Sequence, residues 1–139
     1  MNNWILRPWL RALDFRGRAT RREYWLFALQ LALVFGAMLL FAGLAASWEQ
    51  SEGLSLGLSG MFLIFYVFAF VASLSAAVRR LHDHDKTGWL CLLPLLPIAG
   101  PVLFLVMLLL PGTTGENRYG RDPRMGEKAG AAAVGEIFS

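Results

Sequence analysis

Three long apolar runs, separated by clusters of charge, confine this chain to one class of fold. Tyr24–Ala46 is interrupted only by Gln30, and neither Leu54–Val78 nor Trp89–Leu110 contains a charged residue. At 1.5 Å rise per residue the first run would span about 34 Å as a helix, and a bilayer's hydrocarbon core is about 30 Å thick. Apolar residues make up 56% of the 139, above the roughly 45–50% of soluble domains, and the runs hold the excess. Mean hydropathy is +0.49. The expected fold is an all-α polytopic membrane protein with three segments of transmembrane length. A charged lead of over twenty residues and a run longer than the roughly 7–15 residues of a signal-peptide core argue against a cleaved signal.

The ends of the runs carry helix signals. Thr20-Arg21-Arg22-Glu23 matches a capping box, with Thr20 as N-cap and Glu23 reaching back to the Thr20 amide. Arg79 and Arg80 close the second run, where cations suit the negative end of the helix dipole. Pro94, Pro97 and Pro101 interrupt the third run, and an interior proline costs a helix one hydrogen bond and crowds the preceding turn. One Pro-kinked span or a re-entrant pair of half-helices would satisfy that pattern. Length alone favours the kinked span, because the run suffices for one crossing. Before the first run, Trp4, Ile5, Trp9, Leu10 and Leu13 alternate with Arg7 and Arg11. They predict a short interfacial helix with its aromatic rings at headgroup depth. The chain thus divides into an interfacial segment over 1–23, a helical membrane domain over 24–110 and a polar, partly disordered tail over 111–139.

Charge sets an expected orientation. Six arginines precede the first helix, Arg79, Arg80 and Lys86 lie between the second and third runs, and residues 47–53 contain Glu49 and Glu52 but no Lys or Arg. The positive-inside rule then places the N-terminus in the cytoplasm. The net charge of +3 and pI near 9.5 fit that rule and contact with anionic lipid. Nucleic acid is not an expected partner, since no recognition motif accompanies the charge. The lone cysteine, Cys91, permits no intramolecular disulfide. Small residues recur every fourth position at Ala28, Ala32 and Gly36, and again at Ala69, Ser73 and Ala77. Such faces let helices approach closely in lipid, and a homo-oligomer is the expectation.

Three polar blocks flank the runs: Phe15-Arg16-Gly17-Arg18 through Glu23-Tyr24-Trp25; Arg79-Arg80-Leu81-His82-Asp83 with Gly88-Trp89; and Gly115-Glu116-Asn117-Arg118-Tyr119-Gly120-Arg121-Asp122-Pro123. Together, from about Phe15 to Pro123, they resemble the domain-of-unknown-function 805 family of small bacterial inner-membrane proteins. Thr87 stands where serine is more usual in that pattern, and His84 adds a second histidine after the motif. The resemblance implies a helical fold and an inner-membrane location, and no reaction. It also implies that the three blocks work together, which draws the tail toward the other two and favours the re-entrant geometry.

The candidate polar or lipid-headgroup residues are Arg16, Arg18, Arg21, Arg22, Glu23, Arg79, Arg80, His82 and Asp83. Asp83 or Asp85 is expected to pair with Arg79, Arg80 or an arginine of the Arg16–Arg22 block. Paired arginines near a helix N-terminus also suit a lipid phosphate. No metal or cofactor is expected: His82 and His84 would point to different sides of a helix, and no spaced third ligand follows. Three functions therefore compete. One is a self-associating scaffold that contacts lipid or a partner protein. Another is a small transporter or channel subunit built on the Pro-broken segment. The third is an enzyme using His82, Asp83 and Glu23, which lacks a nucleophile–base pair or cofactor motif and is not the expectation.

Overall fold

A computed structural model describes residues 6–48 and 52–125. Helix α1 covers Arg7–Leu10, α2 covers Arg21–Trp48 and α3 covers Glu52–His82. A 3-10 helix over Gly88–Leu95 and α4 over Ala99–Leu109 follow. No β-strand occurs among the described residues, apart from a single bridge between Asn117 and Gly120. Both α2 and α3 contain stretches long and apolar enough to cross a membrane, Arg21–Ala45 and Leu56–His82.

The start of α2 forms half of the expected cap. The Glu23 amide donates to Thr20 Oγ1 at 3.2 Å. The Glu23 carboxylate does not complete the box by reaching back to Thr20, because Arg79 takes its Oε1 at 3.2 Å.

The N-terminal segment is a plug rather than a surface helix. Among the described residues it forms one helical turn, with Pro8 in that turn, and Trp9 packs against both α2 and α3. Its ring meets Phe27 edge-on at 5.3 Å and stacks on Phe68 at 6.2 Å. Its indole Nε1 donates to Gln30 Oε1 at 2.8 Å, which accounts for the one polar residue in the first run. Trp9 is thus packed on the two long helices instead of standing free on the surface; Leu10 and Leu13 do remain exposed, while Trp4 and Ile5 lie outside the described residues. Replacing Gln30 with leucine should cost about 1–2 kcal/mol, because a partly buried indole loses its acceptor. A denaturation midpoint indistinguishable from wild type would remove this role.

The small-residue faces are buried unevenly where α2 meets α3. Ala72 and Ala76 pack against Phe27 and Ala12, and Ala77 is buried close by. Ala69, Ser73 and Ala28 are half-buried, whereas Ala32 and Gly36 are exposed. Beyond this contact, large apolar side chains such as Leu33, Leu40, Leu63 and Ile64 stand uncovered along α2 and α3. That is a lipid-facing pattern; in water so much apolar surface would drive association.

The third run takes the re-entrant of its two expected geometries, the one the family resemblance favours and length alone does not. It is not one kinked helix but two short arms folded together. At 2.0 Å and 1.5 Å per residue, the eight-residue 3-10 arm and the eleven-residue α4 each reach about 16 Å. Pro94 lies inside the first arm and Pro97 at the corner, and Pro101 falls in the first turn of α4, where a missing amide costs little. Ile98, at φ 66° and ψ −65°, carries a γ-turn that Ala99 closes by donating to the Pro97 carbonyl at 2.8 Å. Gly100 lets the arms meet, since a Cβ there would lie 1.9 Å from the Leu93 carbonyl oxygen. Cys91 sits half-buried in the first arm.

Both arms end beside the C-terminus of α3. A Cβ on Gly88 would lie 2.8 Å from Val78 Cγ1, and the Arg80 guanidinium donates to the Leu108 and Leu110 carbonyls. The tail consequently emerges where the run began. Single cysteines placed at Phe15 and at Glu116 should react with an impermeant maleimide from the same side of sealed vesicles. Labelling from opposite sides would rule the hairpin out.

Candidate functional site: a buried arginine–carboxylate network

Beneath this end of the bundle, three segments distant in sequence are tied by charge. Asp83, in the turn after α3, is 2% exposed and serves two arginines. Arg18 reaches its Oδ1 at 2.8 Å, and Arg80 holds its Oδ2. Arg18 then spends its other N–H groups on the tail, donating to the Gly115 and Thr113 carbonyls. The Asp83 carbonyl accepts from the Thr113 amide at 2.8 Å and from its hydroxyl at 3.0 Å. One residue thus anchors the N-terminal block, α3 and the tail.

A second pair lies deeper. Arg79 and Glu23 are 0% and 2% exposed and meet through a single contact of 3.2 Å. Glu23 Oε2 and Arg79 Nη2 are buried and find no hydrogen-bond partner among the described residues. Nearby, the Ala19 amide donates to the Arg79 carbonyl at 3.0 Å, and the Ser75 hydroxyl donates to the Asp14 carbonyl at 2.8 Å.

His82 completes the tie. Its Nδ1 lies 3.2 Å from the Gly17 carbonyl, so that nitrogen carries the proton. Its ring stacks on Tyr119 at 3.8 Å, almost parallel. The Asn117 side chain donates to the His82 carbonyl at 2.9 Å and, through Oδ1, accepts from the Tyr119 amide at 2.9 Å. His84 lies apart from this tie, with a buried Nε2 that has no hydrogen-bond partner among the described residues. Burial, and then the charge of Arg80, lower its pKa, so it is neutral at pH 7. No group of three metal-ligating side chains occurs among the described residues.

The remaining candidates sit at the rim. Asp85 pairs with Arg118 in the open, and that hydrogen bond lowers the carboxyl's pKa. Arg21 donates to the Leu109 carbonyl at 2.8 Å. Arg16 and Arg22 are exposed. Arg124, Gly112 and Thr113 were not singled out from sequence, and Asn117 and Tyr119 only as members of the third polar block, not as candidate site residues. The Asn117–Gly120 turn had a visible signal in its Asn-x-x-Gly spacing. Gly112 had none: its reason is contact, since a Cβ there would stand 1.8 Å from Asp83 Oδ2.

The residues that build this network lie almost wholly within one family signature. Residues 12–121 match the family described as Protein of unknown function (DUF805). The chain belongs to this family. Its DUF805 relatives include two from Escherichia coli K12. Inner membrane protein YhaH is 33% identical over 123 residues, covering 88% of this chain and 98% of its own. Inner membrane protein YhaI is 37% identical over 123 residues, covering 88% and 97%. Uncharacterized protein YiiR of the same strain is 28% identical over 142 residues, covering 84% and 89%. No solved structure matches this DUF805 chain.

Proposed function

We propose that this chain is a non-catalytic scaffold of the bacterial inner membrane, self-associating and in contact with anionic lipid, with its N-terminus cytoplasmic. The observation that carries this reading is how the charge is used. The residues an enzyme would recruit are engaged in holding the fold: Asp83 by Arg18 and Arg80, Glu23 by Arg79, and His82 by Gly17 and Tyr119. What remains for partners is the exposed apolar surface of α2 and α3 and a rim of arginines. The names of the DUF805 relatives support the location, and the arginine-rich end supports the orientation.

The internal pairing also changes how a lipid role should be tested. Neutralising Arg18 or Arg80 would strip a buried partner from Asp83, so the informative variants are those of the exposed arginines. Self-association is tested by light scattering of the purified chain in mild detergent. A dimer or larger species is the expected result, and a monomer at every concentration would count against the scaffold.

One observation favours a second reading, a small transporter or channel subunit. The buried Glu23 Oε2 and Arg79 Nη2 lack partners at the end of two long helices, beside a Pro-broken hairpin. Interrupted segments with buried charge often line pathways. Ion flux into proteoliposomes above that of empty vesicles would establish it.

A further inference from the structure

Beside Asp83 a cleft of about 190 Å³ opens between the start of α2 and the tail, lined by Thr20, Arg21, Arg22, Asp83, Gly112 and Arg124. Its three arginines come from opposite ends of the chain, and only the docked tail brings Arg124 beside the other two. The Asp83 carboxylate in its wall is already neutralised by Arg18 and Arg80, so the lining keeps an excess of positive charge. Arg124 is fixed by Asp122, at 3.0 Å, and by the Gly112 and Thr113 carbonyls. The Arg124 amide and guanidinium also outweigh the effect of burial on Asp122, lowering its pKa and keeping it ionised. Arg22 has neither an ion-pair nor a hydrogen-bond partner among the described residues.

We infer that this cleft binds an anionic phosphate group, with Arg22 and Arg124 as its principal ligands and Arg21 beside them. Guanidinium groups match phosphate oxygens with paired, charge-assisted hydrogen bonds. The first turn of α2 adds its field in the same sense. A phosphate here also offsets the mutual repulsion of arginines that the fold has crowded together. The shared chemistry is a phosphate ester or ion; the source is a lipid headgroup or free phosphate. The inference rests on the anionic-lipid contact proposed above and gives that contact a location.

The test compares the full-length chain with Arg22→Gln, Arg22→Gln/Arg124→Gln and Arg16→Gln. The last removes the same charge from the same block at an exposed residue outside the cleft, and unchanged far-UV circular dichroism verifies folding of each. In one arm, the protein is reconstituted in vesicles of phosphatidylglycerol and phosphatidylcholine, and retained lipid is read by native mass spectrometry. In the other, inorganic phosphate is titrated calorimetrically into the protein in phosphatidylcholine nanodiscs. A loss of about tenfold in phosphatidylglycerol retention on Arg22→Gln, with Arg16→Gln unchanged, supports the site with a lipid headgroup in it. The same discrimination in the phosphate arm alone supports the site with free phosphate in it. Equal behaviour of the Arg22→Gln and Arg16→Gln proteins in both arms overturns the cleft, and a wild-type preference for phosphatidylglycerol would leave the anionic-lipid reading standing. No lipid preference and no phosphate binding in the wild type would overturn both.

Discussion

Asp83→Asn should destabilise the protein by about 3–5 kcal/mol, because it leaves two buried guanidinium groups facing a neutral amide. Domain stabilities are about 5–15 kcal/mol, so a large part of the margin would go. The loss should also appear locally. Arg18 bridges Asp83 to Gly115 and Thr113, and the tail should become open to protease before the helices do. Unfolding in mixed micelles, followed by tryptophan fluorescence, measures the first effect, and limited proteolysis the second. Asp85→Asn is the control. Its pair with Arg118 is exposed to solvent, where ion pairs contribute little, and no measurable shift is expected. Equal midpoints for the two variants would show that burial at Asp83 has no energetic consequence.

The Glu23–Arg79 pair should behave differently, as a coupled loss. Removing either partner strands the other charge in a site 2% exposed or less, at about 3–5 kcal/mol. Glu23→Met/Arg79→Met removes both charges and keeps much of the volume. The double variant should therefore cost less than the two single changes added together, with a coupling of about 2–3 kcal/mol. The pair's single contact and two unpartnered atoms point the same way, since imperfect geometry recovers little of the desolvation cost. Additive single effects in the same micelle assay would show that the two side chains are energetically independent. If the pair serves ion passage, the stable double variant would also abolish flux, which separates the transporter reading from the scaffold.

Much of this arrangement was legible in order and composition. Arg80 three residues before Asp83 announces an ion pair wherever the helix ends. Thr20 announces the start of α2, and the family resemblance implies that the three blocks group together. Other features depend on distances that no local pattern contains. Pro94 and Pro97 signal a break, but a kink and a reversal differ only in whether the arms can touch, and Gly100 against the Leu93 carbonyl decides that. Trp9 reads as an interfacial aromatic until the gap between α2 and α3, with Gln30 in it, is seen. Gly112 reads as turn punctuation, yet its lack of a Cβ is what admits the Asp83 carboxylate. Long-range contacts of this kind are set by the fold, and a single sequence records only their local residues.

The reversal at Ile98 has a consequence for the surroundings of the chain as well as for its tail. With α2 and α3 spanning a bilayer, the two short arms would add to the leaflet next to the polar end, giving four helical elements there against two in the other. Its footprint would then be unequal in the two leaflets. A spanning helix answers mainly to hydrocarbon thickness, but a wedge answers also to the balance of area between the leaflets. The exposed apolar corner at Leu95, Leu96 and Ile98 would lie near the midplane, where the tails of opposing lipids meet. A hairpin of this shape would thus make the area of each leaflet, as well as its thickness, a measure of how well the chain fits its bilayer.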